Sequence, residues 1–284
     1  MEWGIGTAGL AAGLLIAVVT APVGVSGAVF LLPVQLSVFA VPSPAVTPTN
    51  LLYNVVAGPG ALLRYLRTGA LHGPLVRQLV LGTLPGVVIG AVIRVFAIPG
   101  PAVFKALVAV FLLPLGVWLI ARTLLPPTDR EPEPEPTAEP EPTAEPRPDA
   151  EPEPSGGGPS ARTVTGLALA VGVVGGIYGI GGGSLLGPIL VGRGMPVAKV
   201  APAALASTFA TSVVGAATYA LLSLTDSGNI APHWFLGLAC GLGGLIGGYL
   251  GARLQPHLPE RALRLLLGTL AAAVGALYAV ETFS

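Results

Sequence analysis

Two glycine clusters interrupt the apolar parts of this 284-residue chain. The first is Gly24-Val25-Ser26-Gly27, and the second is Gly179-Ile180-Gly181-Gly182-Gly183, which Ser184 follows. Glycine allows a tight turn with uncovered backbone amides, and a helix that restarts after each cluster directs its positive dipole end toward the break. Two helix starts that meet inside an apolar environment predict a binding site for an anion.

Neutral polar side chains follow both clusters. Asn50 and Asn54 come after the first cluster, and Ser207, Thr208 and Thr211 come after the second. Amide and hydroxyl groups donate hydrogen bonds to an anion without carrying charge themselves. The predicted substrate-binding residues are therefore Gly24, Ser26, Gly27, Asn50, Asn54, Gly181, Gly182, Gly183, Ser184, Ser207, Thr208 and Thr211.

The same residue types also have ordinary structural uses in membranes. Glycine lets two helices pack closely, and serine or threonine often bonds only the backbone of its own helix. The Gly58-Pro59-Gly60 sequence predicts a break in the segment that carries Asn54. We expect helix packing from Gly86, Gly90, Gly243, Gly244, Gly247 and Gly248.

Acidic side chains are scarce outside one central tract. The others are Glu2, Asp226, Glu260 and Glu281, all near predicted segment ends. An ionisable side chain inside a membrane is costly and is kept where it binds cations or relays protons, so the chain does not resemble a sodium-coupled or carboxylate-relay carrier. Three scattered histidines and the single Cys240 offer no metal or catalytic cluster. We therefore expect no metal, no cofactor and no enzymatic activity.

Composition and periodicity predict an all-α polytopic membrane protein. Hydrophobic residues make up 52% of the chain, charged residues make up 10%, and the mean hydropathy is +0.78. These values exclude an ordinary soluble domain. Apolar segments, five in each half, fall at 4–22, 27–41, 45–66, 76–97, 101–123, 163–178, 183–195, 200–222, 231–254 and 261–282.

The two halves repeat each other in sequence. Gly24 and Gly179 are 155 residues apart, and Pro33 and Pro188 share that offset. With one residue deleted the correspondence continues through other apolar and aromatic pairs, including Leu51 with Leu205 and Tyr65 with Tyr219. We predict a first membrane repeat at 1–125, a second at 161–284, and a disordered Glu/Pro-rich linker at 126–160.

The basic residues discriminate between two topologies, because cytoplasmic loops collect lysine and arginine. If each glycine-broken segment crossed the membrane once, seven basic residues would lie on each side. If each cluster returns the chain to its own side, twelve lie on one side and only Arg94 and Lys105 on the other. The second topology is favoured. It gives two inverted repeats, each a glycine-broken helical hairpin, re-entrant or short, plus three transmembrane helices.

The chain resembles the TauE/SafE family of sulfite and organosulfonate exporters. The resemblance rests on the sequence from Gly179 to Leu190, on its weaker partner from Gly24 to Pro33, and on Ala204 to Thr208. It implies a multi-pass protein of the bacterial inner membrane, here with a cytoplasmic linker and both termini outside. Ser26 and Ala28 replace the glycines of the second cluster, so we expect the first cluster to contact substrate less closely.

Together these observations predict a secondary transporter, an exporter of a small sulfur-containing anion such as sulfite or an organosulfonate, working by alternating access. Its partners would be the anion and the lipid bilayer, with protons as a candidate coupling ion and no nucleic acid. A passive anion channel and a carrier of a non-sulfur carboxylate or oxyanion remain alternatives. Transport direction, coupling and oligomeric state stay open at this stage.

Overall fold

The chain folds into ten α-helices in the computed structural model, which describes residues 2–97, 101–125, 161–224 and 231–283. Each predicted apolar segment forms one helix, so the prediction of an all-α fold is confirmed. The linker at 126–160 lies outside the described residues. The helices are α1 (Glu2–Thr20), α2 (Ala28–Ser37), α3 (Ser43–Arg67), α4 (Pro74–Phe96), α5 (Pro101–Leu124), α6 (Ala161–Tyr178), α7 (Gly183–Gly192), α8 (Val197–Leu222), α9 (Trp234–Leu254) and α10 (Glu260–Phe283).

Five of the described segments are long and apolar enough to cross a membrane, which confirms a multi-span protein. They are Gly4–Val23, Pro74–Phe96, Val197–Leu222, Trp234–His257 and Glu260–Val280. By contrast, α2 and α7 have 10 residues each and are about 15 Å long, half of a hydrocarbon core of about 30 Å. Large apolar side chains such as Leu15, Leu81 and Val110 are exposed on the outer surface, where lipid would cover them.

The first glycine of each cluster ends its helix in the same way. Gly24 has φ of +75° and Gly179 has φ of +68°, in the left-handed region that favours glycine. Both are also crowded: a Cβ atom at Gly24 would lie 2.7 Å from the Cβ atom of Ala201, and one at Gly179 would overlap the backbone of Thr47. The paired turns therefore require glycine for conformation and for space.

Packing partners are exchanged between the two halves. Helix α1 packs against α9, and its counterpart α6 packs against α4; in the same way α3 packs against α9, and α8 packs against α4. The pairs α5–α10 and α3–α8 each join a helix to its own counterpart. This pattern is the one that two copies of one unit produce when they pack face to face.

The helix directions follow from close contacts between glycines and neighbouring helices. Gly6 lies against Phe235 and Gly251 against Val18, so α1 and α9 are parallel. Corresponding contacts make α3 parallel to α9 and make α4, α6 and α8 parallel to one another. Gly58 lies against Phe209, whereas Gly215 lies against Leu51 near the opposite ends of the same two helices, so α3 and α8 are antiparallel.

These directions define two ends of the bundle. Face A carries the ends of α1, α3 and α9 with the starts of α4, α6 and α8, and face B carries their opposite ends. The first helix of one half therefore runs opposite to the first helix of the other, as an inverted repeat requires. The relation of these faces to a bilayer stays a prediction.

Most of the glycines expected to pack helices do so. A Cβ atom at Gly86, Gly90, Gly243 or Gly247 would overlap a backbone carbonyl of the neighbouring helix. Gly244 lies against Tyr53 and Ala57, whereas a Cβ at Gly248 would make only ordinary contacts, the nearest at 3.4 Å. Backbones thus touch along α1–α9 and α4–α6, as small residues permit in membranes.

The predicted break at Gly58-Pro59-Gly60 is wrong, because α3 runs without interruption from Ser43 to Arg67. Gly58 faces the ring of Phe209, and a Cβ at Gly60 would overlap the carbonyl of Leu245. These glycines therefore provide close helix packing. The proline is accommodated within the helix, as happens in membrane helices whose neighbours restore the lost bonding.

Replacing Gly90 by alanine should destabilise the bundle, because the new methyl group would meet the Val173 carbonyl. Overpacking of this kind costs about 1–3 kcal/mol, which a thermal unfolding assay of the detergent-solubilised protein would detect. The control is Gly166→Ala, on the exposed side of α6 with nothing near its Cβ position. Equal stability of the two variants would contradict this account of the α4–α6 contact.

Candidate functional site

A small cavity lies beside the first glycine cluster, toward face A. Its volume is about 40 Å³, measured over the positions that the centre of a water molecule can take. The walls come from α1, the first cluster, α3, α8 and α9, and no acidic or basic side chain lines it. Its polar lining consists of Thr20, Ser26, Tyr53, Asn54 and Thr208.

Two residues of the first cluster, Ser26 and Gly27, line this cavity. The Ser26 hydroxyl donates to Oδ1 of Asn54 and accepts the amide of Ala28 at 3.1 Å, so it covers the first amide of α2. Within the described part of the chain, the amides of Ser26 and Gly27 have no hydrogen-bond acceptor. A Cβ atom at Gly27 would overlap the hydroxyl of Tyr53, so glycine is required where the two meet.

Two asparagines of α3 join the glycine clusters. Asn54 accepts from Ser26 through Oδ1, and its Nδ2 donates to the carbonyl of Gly179 at 3.4 Å. One turn earlier, Nδ2 of Asn50 donates to the carbonyl of Ala28 at 3.2 Å. One side chain, that of Asn54, thus contacts the broken backbone of both halves.

Hydroxyl groups of α8 contact residues at the second cluster. The amide of Gly182 donates to Oγ1 of Thr211 at 3.0 Å, and the Ser184 hydroxyl lies 3.4 Å from that of Thr208. A Cβ atom at Gly181 would lie 2.6 Å from Cγ2 of Thr208. The second cluster therefore packs tightly, and none of its residues lines the cavity beside the first.

The structure divides the predicted site residues into two groups. Those that line the cavity are Ser26, Gly27, Asn54 and Thr208. The remaining ones are buried around the clusters without reaching it: Gly24, Asn50, Gly181, Gly182, Gly183, Ser184, Ser207 and Thr211. The first cluster, expected to contact substrate less closely, is the one that borders this cavity.

Two polar residues of the cavity, Thr20 and Tyr53, were not among the predicted site residues. Thr20 precedes the first cluster at the end of α1, is 2% exposed, and its hydroxyl has no hydrogen-bond partner among the described residues. Tyr53 lines the cavity from α3, one helical turn before Ala57. The signal that could have identified Tyr53 was its hydroxyl group directly beside Asn54 in an apolar segment.

Two tyrosines at matching repeat positions hold the ends of the interrupted helices. The Tyr65 hydroxyl donates to the carbonyl of Ala21 at 3.4 Å, and the Tyr219 hydroxyl donates to the carbonyl of Gly176 at 3.1 Å. Ala21 and Gly176 each stand three residues before the turning glycine. At Ala21 the tyrosine adds a second bond, because this carbonyl also accepts the amide of Gly24 at 3.1 Å. Both tyrosines thus help to satisfy backbone carbonyls at the end of an interrupted helix.

Arg94, which falls inside the predicted apolar segment 76–97, is the buried basic residue of the described chain. It is 4% exposed in the last turn of α4, on face B, and its Nε donates to Oγ1 of Thr47 at 3.5 Å. The guanidinium group is also close enough to Tyr178 and Tyr219 for an electrostatic interaction. A positive charge therefore lies behind the second cluster, on the side away from the cavity.

Comparison with known proteins identifies the family of this chain. The model of the sulfite exporter TauE/SafE family matches residues 9–278, which include both clusters, the cavity and all ten helices except a few terminal residues. No curated protein and no solved structure matches the chain. Since the match spans nearly the whole sequence, this protein belongs to the sulfite exporter TauE/SafE family.

Proposed function

We propose that this chain exports a small sulfur-containing oxyanion, best matched by sulfite, through alternating access. The family makes the chain a membrane transporter of the sulfite and organosulfonate type. The observation that carries the finer proposal is the neutral polar cavity at the first cluster. Its lining includes Ser26 and Gly27, whose amides have no acceptor among the described residues, and Thr20, whose hydroxyl has no partner there.

The donors around the cavity suit an anion. The amides of Ser26 and Gly27 stand at the start of α2, where the helix dipole adds a partial positive charge. Thr20, Tyr53 and Thr208, each with a hydroxyl group, line the same cavity. A hydrogen bond to a charged acceptor contributes about 1.5–3 kcal/mol, so a few such donors can replace part of the hydration of an oxyanion.

The size of the cavity favours a small substrate. A site needs about 10–15 Å³ by this measure for each water, so 40 Å³ holds roughly three waters. That space is comparable with the four heavy atoms of sulfite. A longer organosulfonate such as taurine would require the first cluster to move away from α3.

The absence of charged side chains around the cavity also favours release of the anion. A fixed positive charge in a site of low dielectric would hold an anion strongly, whereas conduction requires a site that is favourable to enter and weak enough to leave. No carboxylate lines the cavity, so a coupling proton would travel on the substrate itself. An anion that moves without a proton, driven by the membrane potential, would use the same site.

A carrier fits these contacts better than a channel. The cavity opens toward face A, and on the other side Asn54 bonds to Gly179 while Thr211 holds Gly182. An anion in the cavity therefore has packed backbone between it and face B. Passage requires those contacts to open, which is the movement that alternating access provides.

The proposed orientation places face A in the cytoplasm. Arg64, Arg67, Arg77 and Arg253 lie at helix ends of face A, as the excess of basic residues in cytoplasmic loops would require. Arg94 lies on face B, and it is buried. The cavity then takes its anion from the cytoplasm, which agrees with export.

Replacing Thr20 by valine should weaken sulfite binding without loss of stability. The hydroxyl has no partner in the protein, so its removal costs the fold nothing, whereas a lost bond to an anion raises the half-saturating concentration at least about tenfold. Counterflow of labelled sulfite in proteoliposomes measures this value, and sulfate, thiosulfate, sulfoacetate, taurine and chloride as competitors rank the substrates.

The matched control for that experiment is Thr218→Val, because the Thr218 hydroxyl bonds only to the Val214 carbonyl of its own helix. Gly181→Leu, which crowds Thr208, should abolish exchange. An unchanged half-saturating concentration in folded Thr20→Val would contradict the site. The absence of overshoot with every anion tested would favour the channel or a substrate outside this set.

Labelling of single cysteines should place the two faces on opposite sides of the membrane. In a Cys240→Ala background, His72→Cys, exposed between α3 and α4, should react with an impermeant thiol reagent only after cells are opened. Ala231→Cys, exposed before α9, should react in intact cells. Labelling of both positions from one side would support single crossings at the glycine clusters and contradict the proposed orientation.

A further inference from the structure

Two small apolar clusters occupy matching repeat positions at opposite ends of the α3–α8 pair. The face A cluster contains Ala61 and Tyr65, with Leu205 packed against it. The face B cluster contains Leu51 and Tyr219. The sequence repeat relates Leu51 to Leu205 and Tyr65 to Tyr219. The two ends of the bundle are therefore built from equivalent parts.

The equivalent residues at face A and face B pack differently. On face A, Ala61 and Leu205 both line the open cavity. Their counterparts on face B are Gly215 and Leu51, and a Cβ atom at Gly215 would lie 3.2 Å from both methyl carbons of Leu51. Leu51 is fully buried. One end of the α3–α8 pair is thus open while the other is shut.

Polar residues lie behind the shut end at positions equivalent to the cavity lining. Thr208, Thr211 and Ser212 correspond to Asn54, Ala57 and Gly58, all three of which line the cavity. The Ser212 hydroxyl is fully buried and finds no hydrogen-bond partner in the part of the chain that the structure describes. A buried hydroxyl without a partner is costly, so it suggests a ligand in another state of the protein.

We infer that α8 carries a second half-site, formed by Thr208, Thr211 and Ser212, which binds the same small oxyanion when the Leu51–Gly215 contact opens face B. This inference rests on the proposed transport function. When the half-site opens, Thr211 releases the amide of Gly182, whose counterpart Gly27 already faces the open cavity. Thr208 contacts the anion in both states, and Ser212 contacts it only when face B is open.

A cross-link across the face B contact should stop transport. Leu51→Cys with Gly215→Cys, in the Cys240→Ala background, places two thiols where the Leu51 side chain now packs against the Gly215 backbone. A short reducible cross-linker should abolish sulfite counterflow in this variant, and reduction should restore it. The single variant Leu51→Cys, treated with the same reagent, is the control and should keep its exchange.

The outcomes of the cross-linking experiment are separable. Exchange that continues in the fully cross-linked protein would show that the Leu51–Gly215 contact need not open during transport, which would overturn the proposal. If the Cys240→Ala parent shows no counterflow with any sulfur anion, the proposed transport function itself fails. If the parent and the reduced double variant exchange sulfite and the cross-linked form does not, the result supports opening of the Leu51–Gly215 contact during transport.

Replacing Ser212 by alanine tests the half-site directly, with a readout that depends on the side of the membrane. The variant removes a hydroxyl without a protein partner, so its thermal stability should be unchanged or higher. The half-saturating sulfite concentration should rise by an order of magnitude at face B and remain close to that of the parent at face A. Thr20→Val, on the open side, should give the opposite asymmetry.

An equal change at both faces, or no change at either, would overturn the assignment of Ser212 to a face B site. Thr218→Val serves again as the control in α8, because its hydroxyl bonds within its own helix. Both readouts use the intact protein in proteoliposomes of known orientation, with labelled sulfite as the probe.

Discussion

Backbone that leaves the helical pattern inside a membrane must have its polar groups satisfied by the protein, because lipid offers none. This requirement governs the centre of the molecule, where two helices are interrupted by glycine clusters. Asn54, Thr211, Tyr65 and Tyr219 supply the missing bonds, and each lies on α3 or α8. These two helices can therefore be more polar than their neighbours, since the other helices shield them from lipid.

The two clusters meet this requirement to different extents, and the difference creates the site. At the second cluster Thr211 bonds the Gly182 amide and threonine side chains cover the glycines. At the first cluster Ser26 covers one amide, while those of Ser26 and Gly27 remain without a protein acceptor. The cavity borders only the first of these two equivalent clusters, and this is the asymmetry that a carrier needs in each of its states.

Rigid and movable parts are distinguished by how the helices touch. The α1–α9 and α4–α6 pairs meet backbone to backbone through glycines that tolerate no added methyl group. The α3–α8 contact depends instead on side chains such as Leu51, and it is shut on one face and open on the other. Movement between states is therefore easier at the α3–α8 contact than within the close-packed pairs, which favours rigid units that rock about the central polar residues.

The sequence determined the helical segments, the repeat and the glycine turns. Each of these depends on local chemistry: apolar length, glycine at a left-handed position, and the order of residue types along the chain. Family membership also followed from such local patterns, in the sequence from Gly179 to Leu190. The neutral character of the site was visible too, because the chain has no carboxylate in mid-segment.

Tertiary structure decided which of the predicted residues face a cavity and which only support the fold. Ser26 and Thr211 are both hydroxyl residues near a glycine cluster, yet only Ser26 borders open space. Thr20, Tyr53 and Arg94 gained their positions from neighbouring helices distant in sequence. The continuity of α3 at Gly58-Pro59-Gly60 likewise depends on contacts with α8 and α9. Such features arise from packing between distant segments, which local sequence patterns do not encode.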